Sequence, residues 1–134
     1  MGFPIEGNFV LESKAKISLS FKPLEPPAEV QELVELRKEN CSWCSGGKNG
    51  FKCLMCGRCM CSSCFREDQR RHGCWSLYLE LNYMRLQGQG RWSGCKDIYF
   101  NELQMSVYEG ADPEREKLFL DRGRMEEMVE GLLG

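Results

Sequence analysis

Histidine is scarce in this chain: His72 is the only one among 134 residues. The His-Glu-x-x-His and His-x-Glu elements of catalytic zinc sites are therefore missing. No apolar run approaches the roughly 18 residues of a membrane span, so no transmembrane helix is expected. The opening residues Met1-Gly2-Phe3-Pro4-Ile5-Glu6 have neither a charged n-region nor an apolar h-region, so a signal peptide is not expected. Gly2 is not read as a myristoylation site, because Glu6 stands where that motif wants Ser or Thr. Charge of one sign is lacking too. The 18 Lys/Arg and 20 Asp/Glu leave a net charge of -2, which argues against a protein that coats nucleic acid through bulk charge. Internal repeats and low-complexity runs are absent.

Cysteine is what the sequence has. There are nine, and seven of them fall between Cys41 and Cys64. In a reducing cytoplasmic or nuclear setting, clustered cysteines read as metal ligands before disulfides, and an odd count fits a disulfide framework poorly. The remaining composition, 42% hydrophobic and 28% charged, is that of a globular domain.

The spacing carries the chemistry. Cys41-x-x-Cys44, Cys53-x-x-Cys56, Cys61-x-x-Cys64 and His72-x-Cys74 are four pairs. Eight ligands suffice for two tetrahedral zinc ions. A pair two residues apart closes a tight knuckle with both sulfurs on one ion. Zinc suits thiolate and imidazole and has no redox chemistry of its own. Two pairing orders are open. Either neighbouring pairs share an ion, or the pairs interleave, first with third and second with fourth. Eight ligands for two ions leave no open coordination position, and no carboxylate is placed to orient a Cys/His nucleophile, so catalysis is not expected. Cys59 and Cys95 are left over; Cys59, inside the cluster, is the candidate substitute ligand. The stretch has little else to build a core, only Trp43, Phe51, Leu54, Met55, Met60 and Phe65, so zinc would supply folding energy.

Residues 41–74 resemble a MYND zinc finger. Cys64-Phe-Arg-Glu-Asp-Gln-Arg-Arg-His72 reproduces that family's seven-residue gap, including an acidic residue four positions before the histidine. The resemblance implies a cross-braced pair of zinc ions. It places Cys41, Cys44, Cys61 and Cys64 on one ion, and Cys53, Cys56, His72 and Cys74 on the other. The chain departs from the family twice: two residues rather than three separate Cys61 from Cys64, and one rather than three separates His72 from Cys74. PHD-type fingers match the first three pairs but close with a Cys-x-x-Cys pair, which is missing. RING fingers share the cross-brace, but their third pair opens with a Cys-x-His element, also missing.

Around this stretch the pattern predicts a small α+β domain. Phe9, Leu11, Ile17, Leu19 and Phe21 alternate with polar residues over 8–22, a strand pattern. Pro23-Leu24-Glu25-Pro26-Pro27 reads as a polyproline linker, and the spacing predicts a helix over 28–39. Alternation over 75–83 predicts a strand, Gly88-Gln89-Gly90 a turn, and two further β segments are expected near Ile98–Phe100 and Leu103–Val107. Asp112 reads as a helix cap, with Leu118, Met125, Met128, Val129 and Leu132 on one face of a C-terminal helix. The expected organisation is residues 1–40, a zinc module over 41–74, and 75–134 packing with 1–40 as one antiparallel sheet with flanking helices.

The expected function is protein binding, a protein or short-peptide partner meeting a surface that zinc holds rigid. By analogy, a small regulatory or viral accessory protein that antagonises host factors fits such a chain. Trp43, Phe51, Arg66, Arg70 and Arg71 are the candidate contacts. Residues 41–74 carry six Lys/Arg against two Asp/Glu, so nucleic-acid binding is the alternative. A RING-like ubiquitin-ligase module is the second alternative. A homodimer seam through the C-terminal helix is the sharper use of that helix; packing on the sheet is the simpler one.

Overall fold

A computed structural model describes residues 23–73 and 75–133; the strand expected over 8–22 and the ligand expected at Cys74 lie outside the described residues. Five strands form one antiparallel sheet: β1 (Phe51–Cys53), β2 (Cys59–Met60), β3 (Ser76–Glu80), β4 (Arg85–Gln89) and β5 (Ser93–Asp97), in the order β2-β1-β3-β4-β5. Two short strands, β6 (Tyr99–Phe100) and β7 (Phe119–Leu120), pair separately. The helices are α1 (Gln31–Leu36), α2 (Ser62–His72) and α3 (Arg122–Leu133). The class is α+β, as the sequence predicts, with the cysteine-rich stretch built onto the sheet.

Side chains alternate across a strand, so β3 serves two cores at once. Leu77 and Leu79 enter the larger core, with Val30, Leu33, Leu86, Ile98, Tyr99 and Leu118. Tyr78 enters a smaller one with Cys41, Cys53, Met60 and Cys61. Register explains the split. Cys53 stands opposite Tyr78, while Lys52 stands opposite Leu79. One sheet therefore separates a conventional apolar core from a core built largely of sulfur.

Four expectations are corrected. The helix expected over 28–39 is shorter, because the segment before it is spent on a strand partner: Glu29 bridges Phe119, and the Ala28 carbonyl accepts the Leu120 N–H at 2.9 Å. The turn expected at Gly88-Gln89-Gly90 comes later: the connection between β4 and β5 is 90–92, and only Gly90 of the three belongs to it. Gly88 and Gln89 lie within β4, and the glycine is there because a Cβ would overlap the Trp92 ring. The segment 103–107 is not a strand. The Asn101 carboxamide oxygen accepts the N–H groups of Leu103 and Met105, both at 2.9 Å, and curls the chain before a ladder can form. The C-terminal helix is not capped by Asp112 but by Asp121, whose Oδ1 accepts the Arg124 N–H at 3.0 Å. Leu118 precedes that helix and is wholly buried.

Removing this cap has a definite cost. Asp121→Ala is expected to lower stability by about 1 kcal/mol, read as a lower urea midpoint at unchanged slope. An unchanged midpoint would show that the cap contributes nothing.

Candidate metal centres

Two knuckles are built alike. The Ser45 N–H donates to the Cys41 carbonyl at 3.1 Å, and the Gly57 N–H donates to the Cys53 carbonyl at 2.9 Å. Both turning residues are left-handed, with φ of 56° at Ser45 and 82° at Gly57. Each turn brings backbone donors to sulfur. Trp43 N–H reaches Cys41 Sγ at 3.3 Å, Gly46 N–H reaches Cys44 Sγ at 3.4 Å, and Met55 N–H reaches Cys53 Sγ at 3.4 Å. Such donors favour the thiolate, the form that binds metal.

The third pair sits at the start of α2. Cys61 is the residue before its first turn, and Cys64 lies within that turn. His72 ends the same helix, one turn beyond Asp68. Helix α2 thus carries donors at both of its ends.

The structure gathers the side chains into two groups of four. Cys41, Cys44, Cys61 and Cys64 form one; Cys53, Cys56, Asp68 and His72 form the other; within each, the donor atoms all lie within 4.8 Å of one another. The first with the third pair is the interleaved order. Both groups could hold a metal ion. The first fits zinc closely: Cys44 Sγ and Cys61 Sγ are 3.7 Å apart. Zn–S bonds near 2.3 Å at tetrahedral angles demand about 3.8 Å between sulfurs. In the second, His72 Nε2 lies 3.2 Å from Cys53 Sγ and 3.2 Å from Asp68 Oδ2. Ligands of those kinds on one tetrahedral zinc would stand about 3.4–3.6 Å apart.

The thiols differ in acidity. Burial pushes Cys41 up, but backbone N–H groups of Cys44, Cys61 and Trp43 overcome it and bring it down to about 6. The Cys64 N–H, at the helix start, draws Cys61 down as well. Burial, reinforced by neighbouring thiols, pushes Cys64 up to about 12, and burial does the same to Cys53.

Asp68 is the residue that the cysteine pattern did not single out as a donor. It is 1% exposed and accepts the Tyr78 hydroxyl at 2.6 Å. The signal was its place four residues before His72, which on a helix sets both side chains on one face. Cys59 and Cys95 join neither group among the described residues. Cys59, on β2, stands opposite Lys52 on β1, which turns it to the sheet face opposite Cys53. Cys95 lies on the far edge strand β5 and donates to Gln87 Oε1 at 2.9 Å.

The candidate contacts separate by environment. Trp43 is half-buried, with the Arg58 and Arg71 guanidiniums 4.9 Å and 5.3 Å from its ring centroid. Phe51 is spent on packing: it stacks on Phe65 at 3.8 Å, with Tyr78 edge-on to both rings. Arg66, Arg70 and Arg71 are exposed on α2, and Arg70 pairs with Glu67 at 3.1 Å. No helix among the described residues is long and apolar enough to cross a membrane. Comparison with family models, curated proteins and solved structures finds no match.

Proposed function

We propose that the chain is a protein-interaction module whose recognition surface is held rigid by two zinc ions. The supporting observation is closure: each group offers four donors within 4.8 Å, which satisfies a tetrahedral ion and leaves no position for a substrate. Metal in such a site folds and stiffens the chain, and binding rather than catalysis is the reading that follows. Zinc is the ion this donor set selects, since thiolates dominate and a four-coordinate ion is sufficient.

The contact surface we propose centres on Trp43, with Arg58 and Arg71 against it and Arg66 and Arg70 along the exposed side of α2. An aromatic ring beside guanidiniums suits an acidic peptide with an apolar residue. The nucleic-acid reading uses the same groups, and salt separates the two. We expect titration calorimetry to show binding of an acidic peptide that persists at moderate salt and is lost in Trp43→Ala. If a single-stranded oligonucleotide binds instead, with a steep salt slope that shrinks by about one unit for each of Arg70→Ala and Arg71→Ala, the nucleic-acid reading replaces this one.

A further inference from the structure

We infer that Asp68, oriented by the Tyr78 hydroxyl, is the fourth ligand of the second centre, so that the two centres are chemically unequal. The first is all sulfur; the second takes two sulfurs, a nitrogen and a carboxylate oxygen. The inference rests on the zinc reading above and deepens it.

Carboxylates are almost never fully buried unless they are paired or hold a metal. Asp68 is buried, and among the described residues no Lys or Arg pairs with it. The Tyr78 hydroxyl gives it one hydrogen bond but no charge. Among the described residues its other polar contact is His72, whose Nε2 lies 3.2 Å from Asp68 Oδ2 and equally 3.2 Å from Cys53 Sγ. One ring nitrogen carries at most one proton, so it cannot donate well to both. Three electron-pair donors, Cys53 Sγ, His72 Nε2 and the Asp68 carboxylate, so close together suit one shared cation.

Topology supplies the precision. Asp68 and His72 are one turn apart on α2, and Tyr78 stands on β3 directly opposite Cys53. The hydroxyl that fixes the carboxylate therefore comes from the strand paired with the one that carries a sulfur ligand. An outer partner of this kind typically accounts for about 10–100-fold in metal affinity. A centre with an oxygen ligand is harder than an all-thiolate one and is expected to yield its metal to a chelator first.

Cobalt(II) titration of the full chain tests this. Thiolate-to-cobalt charge-transfer intensity counts sulfur ligands. We expect two cobalt ions per chain and the intensity of six thiolates. Cys74→Ser should leave both unchanged. Asp68→Asn should alter the visible bands of one centre and weaken that centre alone, and Tyr78→Phe should weaken it about 10–100-fold with the bands in place. Seven thiolates in the wild type, or a Cys74→Ser variant that loses one thiolate's share, would overturn the inference and give the fourth position to Cys74. The wild-type intensity still decides for or against Cys74 if a variant fails to fold, and the Asp68→Asn bands assign the oxygen ligand. Fewer than two cobalt ions in the wild type would overturn the two-zinc reading itself, a result distinct from seven thiolates on two ions.

Discussion

Chelation of the metal is expected to melt α2 and the β1–β2 hairpin. The smaller core holds Cys41, Cys53, Cys61, Met60 and Tyr78, so three of its five buried residues are sulfur donors. Without an ion their attraction to a common centre is gone, and apparent metal-binding energies of structural sites are of order 10 kcal/mol at neutral pH. A chelator should therefore abolish the α2 part of the far-ultraviolet dichroism and the asymmetric signal of the Phe51–Phe65–Tyr78 cluster, and added zinc should restore both. Spectra that survive complete metal removal would refute a structural role for the ion.

The same experiment has a pH dependence with a definite sign. Cys41 lies below its ordinary value of 9.0, at about 6. Its contribution to the metal-free fold is thus present above 9 and lost as pH falls through about 6. Cys53 and Cys64 lie above 9.0, at about 12. Theirs is full below 9 and lost as pH rises towards 12. At neutral pH these two thiols hold protons that a metal must displace. Metal uptake should release protons, measurable with an indicator dye, and affinity should fall on acidification.

The second large effect is expected away from the candidate metal centres. Trp92→Ala should cost about 3 kcal/mol and loosen α3, seen as a lower denaturant midpoint and faster proteolysis of the C-terminal segment. The ring covers Gly88 on the sheet and approaches Gly131 on the helix, and Nε1–H donates to the Met128 carbonyl at 2.8 Å. One side chain thus fills the gap between two glycines and ties two elements. Beside it, the Arg91 N–H donates to the Leu132 carbonyl at 3.1 Å. A cost below about 1 kcal/mol would mean that Met125 and Leu132 hold the helix without it.

The cysteine spacing made the candidate site legible, because pairs two residues apart leave few other local geometries. The strand at β3 was legible through its alternation, though the expected 75–83 overran it: the strand is Ser76–Glu80, and 81–84 turn toward β4. Asp68 was hidden as a donor because the Cys and His spacing already filled eight positions and gave no helix over 62–72; only the packing of Tyr78 against α2 reveals it as buried. Gly88 misled for a different reason. Glycine marks both turns and sites of close approach, and the ring that needs the space belongs to Trp92, four residues on. The short α1 and the curled 103–107 segment were decided by partners distant in sequence or by a single side chain: Leu120 for the former, Asn101 for the latter. Periodicity carries neither.

The place of β1 in the sheet has a consequence for solubility. It lies between β2 and β3, and its Cys53 belongs to the second candidate metal centre. If the ion leaves and the hairpin detaches, β3 becomes an edge, with Leu77, Tyr78 and Leu79 beside a row of unpaired backbone groups. Such an edge is a template for intermolecular strand pairing. Metal loss would then be felt first as self-association, and an ion at this centre would guard the colloidal behaviour of a sheet that it meets through one sulfur.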